Sequence, residues 1–236
     1  MHLNLIWHNY VMVELKYFGH SFFEILDGGS ILLIDPIFDS SKTNLAKRFK
    51  IKAKVLDFKK VSLILITNET PEHFDAVAVE EIAKRSNAIV VAHEVVLQKL
   101  NLPRMQKCPI VSNSEVNLKG VKIKSKTAHF PRSFYPLAYL IQCGDKKIYH
   151  AGVTSLLDNF NEVKTDVALL PISSKTMDVV DAVRATKLMK PDVVIPMQYD
   201  LFEEKKIDVA DFKRRIEKSV LKTKPVLLSM GGTIRL

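Results

Sequence analysis

The chain has 236 residues, of which 47% are hydrophobic, so it has ample material for one large α/β core and is unlike a disordered protein. No apolar run reaches the roughly 18 residues of a membrane span, and residues 1–10 lack the charged and apolar blocks of a secretory signal. Two distant cysteines, Cys108 and Cys143, argue against a disulfide framework and a thiolate zinc site. We therefore expect a soluble, cytoplasmic protein with no membrane partner.

The net charge of +9 has a local source between residues 42 and 60. The basic residues there are opposed only by Asp57, and they are Lys42, Lys47, Arg48, Lys50, Lys52, Lys54, Lys59 and Lys60. Such a cluster can attract nucleic acid, a phosphorylated substrate or an acidic partner. A solvated lysine-rich face is the simpler interpretation, because no known nucleic-acid motif accompanies the charge.

The first predicted elements are antiparallel strands. Residues 1–11 show no periodicity and are interpreted as an N-terminal extension, with a single domain over residues 12–236. Strands are expected at Val13–Phe18, Phe22–Leu26 and Ser30–Asp35. Asp27-Gly28-Gly29 is a hairpin signal, because glycine tolerates the positive φ of tight turns.

A strand–loop–helix–strand unit then occurs twice. In the first unit, the continuous apolar run Val61–Thr67 is typical of a strand covered on both faces, and a helix at Asp75–Arg85 and a strand at Ala88–Ala92 follow. The second unit comprises Asp166–Leu170, a helix at Asp178–Lys190 and a strand at Asp192–Met197. The remaining predictions are helices at His93–Leu100 and Val209–Val220 and strands at Val121–Lys126, Leu137–Cys143, Lys147–Ala151, Pro225–Ser229 and Thr233–Leu236.

This order predicts an α/β fold made of two half-domains. Each half is a mixed β-sheet with helices on one outer face, and the two sheets pack on each other as a four-layer αββα sandwich. Sites in such units form in the loops at the C-terminal ends of strands. The candidate loops are 67–75, 127–133, 151–155, 171–177 and 197–202.

Those loops and their neighbours resemble the metallo-β-lactamase superfamily, and within it the branch of ascorbate-6-phosphate lactonase and related metal-dependent hydrolases. The resemblance covers residues 12–236. The supporting segments are YFGHSFFEI (17–25), ILLIDP (31–36), LILIT (63–67), TAHF (127–130), KIYHAGVTS (147–155), DVALLPI (166–172), KPDVVIPMQYDLF (190–202) and GGTIRL (231–236).

The resemblance also identifies the positions of metal ligands. Active members resemble one another in a THxHxDH loop, a later His, an Asp in a GDT turn that bridges two metals, and a His in a PMHY segment. Here His73 and His129 match family histidines, and Glu72 stands for the Asp of the loop. The four altered positions are Asn68 and Thr70 for the HxH pair, Val153 for the bridging Asp and Gln198 for the last His. Of the seven family ligands, two are retained, one is replaced by a chemically similar residue and four are lost. This set argues against a dinuclear zinc site, above all because Val153 cannot bridge cations.

A site for a single metal ion is the remaining alternative. Glu72, His73 and His129 could hold one divalent metal, zinc or manganese, with Gln198 or water completing the shell. The alternative is a plain hydrogen-bonded cluster. His20, Asp35 and His150 match family positions near the metals, where Asp35 would orient a metal ligand through a hydrogen bond. The alternative for each is a hydrogen-bonded core or turn residue; both interpretations stay open for His20 and Asp35, and we favour the structural one for His150. Ser173-Ser174-Lys175 is interpreted as a polar loop rather than a catalytic pair.

Three functional hypotheses follow. The first is a non-catalytic or weakly active member that binds a small molecule or a protein partner, with a homo-oligomer possible. The second is a mononuclear metal-dependent hydrolase of a phosphorylated or otherwise anionic small molecule, attracted by Arg132 and the basic stretch. The third is nucleic-acid binding through residues 42–60.

Overall fold

The structure is a computed structural model that describes residues 12–38, 53–199 and 207–236. The predicted extension (1–11) and Lys42, Lys47, Arg48, Lys50 and Lys52 of the basic stretch lie outside the described residues. In the part that is described, no helix is long and apolar enough to cross a membrane.

The described residues form two seven-stranded sheets. The N-terminal sheet contains β1 (Glu14–Gly19), β2 (Phe22–Asp27), β3 (Ser30–Ile34), β4 (Val61–Leu65), β5 (Ile89–Ala92), β6 (Lys107–Pro109) and the last strand, β14 (Thr233–Arg235). The C-terminal sheet contains β7 (Glu115–Leu118), β8 (Val121–Thr127), β9 (Leu137–Cys143), β10 (Lys146–His150), β11 (Val167–Pro171), β12 (Val193–Met197) and β13 (Lys224–Pro225).

Both sheets are mixed, as the sequence predicted. In the N-terminal sheet the order is β14-β1-β2-β3-β4-β5-β6, antiparallel up to β3 and parallel from β3 to β6. The C-terminal sheet has the order β13-β12-β11-β10-β9-β8-β7, parallel from β13 to β10 and antiparallel from there to β7. The candidate loops follow the carboxyl ends of β4, β8, β10, β11 and β12.

Helices cover the outer faces. They are α1 (Ala76–Ser86), α2 (Glu94–Leu97), α3 (Val179–Met189) and α4 (Val209–Glu217). Asp75 and Asp178 start α1 and α3 because their side chains accept backbone N–H groups of the first turn. Asn87 and Lys190 end these helices in the left-handed conformation, with φ of 52° at each.

The hydrophobic residues segregate into three layers. A central cluster, which includes Leu15, Ile25, Ile141 and Leu169, lies between the sheets. Two outer clusters pack α1 and α2 on the N-terminal sheet and α3 and α4 on the C-terminal sheet. This arrangement confirms the predicted four-layer αββα sandwich.

Several boundaries differ from the prediction. Short β6 and β7 were not expected. The predicted helix at 93–100 is α-helical only over α2, since Lys99 and Leu100 bond to carbonyls three residues back and a tighter turn precedes Pro103. The strand expected at 225–229 is only the end of β13. The chain leaves that sheet early because residues 229–232 cross to Tyr17 of β1 before forming β14.

Candidate functional site

A small cavity lies where the loops after β4, β8, β10, β11 and β12 meet. Its volume is about 30 Å³. That is room for about two water molecules. The lining residues are His20, Thr70, Glu72, His73, Phe130, Arg132, Val153, Ser173, Lys175, Thr176 and Gln198. Seven of these were singled out from the sequence for the site: His20, Thr70, Glu72, His73, Arg132, Val153 and Gln198.

A buried carboxylate forms the base of the site. Asp35 is fully buried and accepts three hydrogen bonds, from the Thr67 N–H (2.7 Å), the Thr67 hydroxyl (2.7 Å) and Nδ1 of His73 (2.6 Å). The short Nδ1 contact places the proton of His73 on Nδ1, which also lies 3.0 Å from the Ser21 hydroxyl. Asp35 therefore fixes both the tautomer and the orientation of the His73 ring.

Two further histidines lie beside this pair. His150 is fully buried, with Nε2 3.0 Å from the Ser21 carbonyl oxygen and Nδ1 accepting the Gly152 N–H at 3.1 Å. Both ring nitrogens are thus used inside the fold. The His20 ring lies 4.8 Å from that of His73, measured between centroids. Burial lowers the pKa of both His20 and His150, and that of His20 falls well below its usual range, so His20 is neutral at pH 7.

The altered ligand positions are occupied by residues with internal partners or by an apolar group. Asn68 donates to the Thr67 hydroxyl and accepts from the backbone and hydroxyl of Thr70, which closes a local turn. Gln198 donates its amide to the Gly152 carbonyl oxygen at 3.1 Å. Val153 is buried and presents its isopropyl group to the cavity.

The predicted single-metal set is not assembled. Glu72 and His73 line the cavity, but His129 is exposed and is not among the lining residues. Its backbone is bonded to Thr154 and Ser155 in the GVT turn, which directs this segment along the loop surface. Within residues 12–38, 53–199 and 207–236, no group of three His, Cys, Asp or Glu side chains is placed to hold a metal ion. This donor set does not fit the metal centre that the resemblance implies.

Glu69 is a site residue that the sequence reasoning missed. Its carboxylate accepts the Ser133 hydroxyl at 2.8 Å and the Phe134 N–H at 2.7 Å, so it joins the loop after β4 to the loop after β8. Burial raises the pKa of Glu69, but the hydrogen bonds from Phe134 and Ser133 outweigh it and hold this pKa below its ordinary value. No local pattern around Glu69 points to partners more than sixty residues away.

Two cationic residues on different loops face the cavity. Arg132 comes from the loop after β8 and Lys175 from the loop after β11, and one carboxylate, Glu72, accompanies them in the lining. Ser173 contacts the Thr176 hydroxyl at 2.8 Å and accepts the Lys175 N–H at 3.2 Å. That is the pattern of a polar turn, with hydroxyls available at the cavity wall.

Comparison with known proteins gives consistent matches. The model of the "Beta-lactamase superfamily domain" matches residues 14–198. A UPF0173 metal-dependent hydrolase of Pyrobaculum islandicum is 32% identical over 236 residues, covering 95% of this chain and 100% of the relative. A UPF0173 protein of Pyrococcus furiosus is 30% identical, covering 87% of this chain and 91% of the relative.

Solved structures agree on the fold. Igni18, described as a novel metallo hydrolase from Ignicoccus hospitalis, superimposes with a TM-score of 0.81 at 28% identity, covering 95% of this chain and 98% of that chain. The metallo-β-lactamase fold protein YhfI of Bacillus subtilis gives a TM-score of 0.71 at 12% identity, covering 95% and 100% of the two chains, and supports the fold alone. The predicted likeness to the ascorbate-6-phosphate lactonase branch stays a prediction.

Proposed function

The chain belongs to the β-lactamase superfamily, in the UPF0173 family, and from that premise we propose that it is a non-hydrolytic member that binds a small anionic molecule in the cavity. The relatives are named as metal-dependent hydrolases, so the family implies a metal cofactor. The observation behind the proposal is the composition of the cavity wall. Its donors do not form a metal centre, and Arg132 and Lys175 face it together.

The chemistry of the altered positions supports the absence of family catalysis. A two-metal hydrolase needs cations about 3.5–4 Å apart that hold and deprotonate a water. Val153 offers neither charge nor a lone pair, and the amide nitrogen of Gln198 is bonded to Gly152. Asn68 is likewise held by its own loop. These residues stabilise the loops without a cation.

The polar groups of the cavity suit an oxyanion. Arginine matches carboxylate and phosphate geometry with paired N–H groups, and lysine adds a point charge. The Thr176 hydroxyl and the second amide N–H of Gln198 can donate the remaining hydrogen bonds. Among the described residues of the lining, Arg132 and Lys175 outnumber the carboxylate of Glu72, so the charges of these three side chains sum to +1.

Metal content tests the first part of the proposal. Untagged protein is incubated with zinc or manganese, desalted and measured by elemental analysis. The matched control restores the family ligands, as Asn68→His, Thr70→His, Glu72→Asp, Val153→Asp and Gln198→His together. We expect metal in the restored variant and none in the wild type. Stoichiometric metal in the wild type would overturn the proposal.

The mononuclear hydrolase is the second candidate. It is favoured by one geometric observation, which is that Asp35 holds Nδ1 of His73 as carboxylates hold metal-bound histidines. His73 and Glu72 would be its ligands on this chain, and a bound cation would supply a nucleophilic hydroxide. One metal per chain that is lost in His73→Gln, with the fold checked by circular dichroism, would support this candidate instead.

Anion binding tests the second part. A ligand that binds only the native state raises thermal stability with its concentration. We expect methyl phosphate to raise the melting temperature of the wild type but not of Arg132→Ala. Lys122→Ala, an exposed lysine change on β8, is the control for lost charge. Equal shifts in all three proteins would remove the cavity as the binding site.

Nucleic-acid binding stays a prediction. Of the basic stretch, only Lys54, Lys59 and Lys60 are described, and all three are exposed. A functional contact would give affinity that falls steeply between about 50 and 200 mM salt.

A further inference from the structure

The cavity is too small for a whole metabolite. Its 30 Å³ holds about two water molecules, whereas sites for drug-sized ligands enclose about 300–1,000 Å³. A bound molecule can place only a charged head group there. Its remaining atoms must lie over the rim, so the surface beside the mouth decides which molecules fit.

The loop after β8 supplies that rim. Phe130 and Arg132 line the cavity, and Phe134, two residues beyond Arg132, is 87% exposed. The Phe134 N–H is bonded to Glu69, whose neighbour Thr70 lines the cavity, so Phe134 stands beside the loops at the cavity mouth. Two residues of chain span at most about 7 Å between Cα atoms, which keeps Phe134 close to Arg132 along the loop. A ring this exposed has most of its apolar surface available to pack against a ligand.

Residues 130–135 form the rim beside the cavity mouth, called here the aromatic rim, and their backbone is held by hydrogen bonds. Ser133 N–H donates to the Phe130 carbonyl oxygen at 3.0 Å, and Glu69 accepts both the Ser133 hydroxyl and the Phe134 N–H. The next ring, Tyr135, stacks on His93 with centroids 3.9 Å apart and planes within 6°. His93 in turn begins α2 by accepting the Val95 N–H. These bonds fix the backbone that carries Phe134, so little backbone entropy is lost when a ligand packs on its ring.

We infer that this site takes amphipathic anions, in which a carboxylate or phosphoryl head group enters the cavity beside Arg132 and a flat apolar or aromatic body packs on Phe134. The inference rests on the proposed function, because the head group must first bind. Offset or edge packing of two rings contributes beyond the area it buries. We therefore expect an aryl phosphate to bind about fivefold to tenfold more tightly than an alkyl phosphate with the same charge.

The test compares two phosphate monoesters by isothermal titration calorimetry. Methyl phosphate and 1-naphthyl phosphate carry the same head group and differ in the body. We expect the preference for 1-naphthyl phosphate in the wild type to disappear in Phe134→Ala, while methyl phosphate binds both proteins equally. Met105→Ala is the matched control, since Met105 is 80% exposed and is not a lining residue.

The possible outcomes separate the two proposals. Equal binding of both esters by the wild type would overturn the aromatic rim and leave anion binding standing. Binding of neither ester would overturn the proposed function and the rim together. A preference that persists in Phe134→Ala would also overturn the rim. Sedimentation of both proteins adds one check: if Phe134→Ala only converts a dimer to a monomer, the surface joins two copies and the inference is wrong.

Discussion

Replacing Asp35 should reveal how much of the fold depends on the buried network. Its carboxylate accepts three hydrogen bonds of 2.6–2.7 Å and is fully buried. Asp35→Ala leaves the Thr67 N–H and the His73 ring without an acceptor, and breaking a buried polar pair costs about 3–5 kcal/mol. Asp35 also has a φ of 47°, where alanine adds about 1 kcal/mol of strain. We expect a loss of about 4–6 kcal/mol in the free energy of unfolding.

Asp35→Asn tests the same reasoning with a folded protein. Asparagine tolerates the left-handed conformation and keeps one acceptor oxygen for the Thr67 N–H. Its NH₂ group faces the Thr67 hydroxyl and Nδ1 of His73, and Nδ1 must give up its proton to accept. We expect a loss of about 1–3 kcal/mol, between the wild type and Asp35→Ala.

Urea unfolding followed by far-ultraviolet circular dichroism measures both losses. The control is Asp145→Ala, because Asp145 is exposed and its ion pair with Lys146 is long, at 3.7 Å. An exposed pair of this kind contributes at most about 1 kcal/mol. If Asp35→Ala cost no more than Asp145→Ala, the buried network would not stabilise the loops and the reasoning would be refuted.

Two further predictions use acidity and backbone space. Burial lowers the pKa of His20 and His150 from 6.5. As the pH falls below about 6.5, only the unfolded state therefore takes up their protons. The free energy of unfolding should be lower at pH 5.5 than at pH 7.5 by up to about 1.4 kcal/mol for each histidine. His20→Asn should flatten this acid loss, measured by urea unfolding at both pH values; an unchanged loss would contradict it. Gly152→Ala should destabilise by at least about 2 kcal/mol, since φ is +65° and the new Cβ would lie 2.5 Å from the Leu137 carbonyl oxygen. Gly29→Ala, also at positive φ but in open space, should lose less, and equal losses would show that the close approach is unimportant.

The fold was accessible from sequence because its signals are local and repeated. The strand predicted from the run at Val61–Thr67 and the helices predicted at Asp75–Arg85 and Asp178–Lys190 lie close to the observed bounds. The elements that were missed, β6 and β7, have three and four residues and pair with strands already formed. Such short strands are set by their neighbours rather than by their own residues.

From the sequence, the site could be predicted only as a set of positions in loops that match the family. Matching loops located His20, Asp35, His73 and Gln198, and the fold brings them together near one cavity. The sequence could not show that His129 is exposed and does not line the cavity. The sequence also could not show that Glu69 joins two loops, because the partners of Glu69, Ser133 and Phe134, lie far along the chain. Contacts between distant loops depend on how the two sheets pack.

On the proposed function, hydrogen bonds at the altered ligand positions hold the loops in place of a cation. Asn68 stands where the family resemblance places a histidine, and its amide oxygen accepts the Thr70 N–H at 3.0 Å and the Thr70 hydroxyl at 2.6 Å. Asn68→Ala removes these bonds from a side chain that is 1% exposed, so we expect a loss of about 1–3 kcal/mol by urea unfolding. Asn68→His removes the same bonds but offers a metal ligand. If zinc restored the stability of Asn68→His, in which all other residues are unchanged, the loop would still be able to bind a metal. Loss in both variants without rescue by zinc would show that hydrogen bonds have replaced the metal as the structural link.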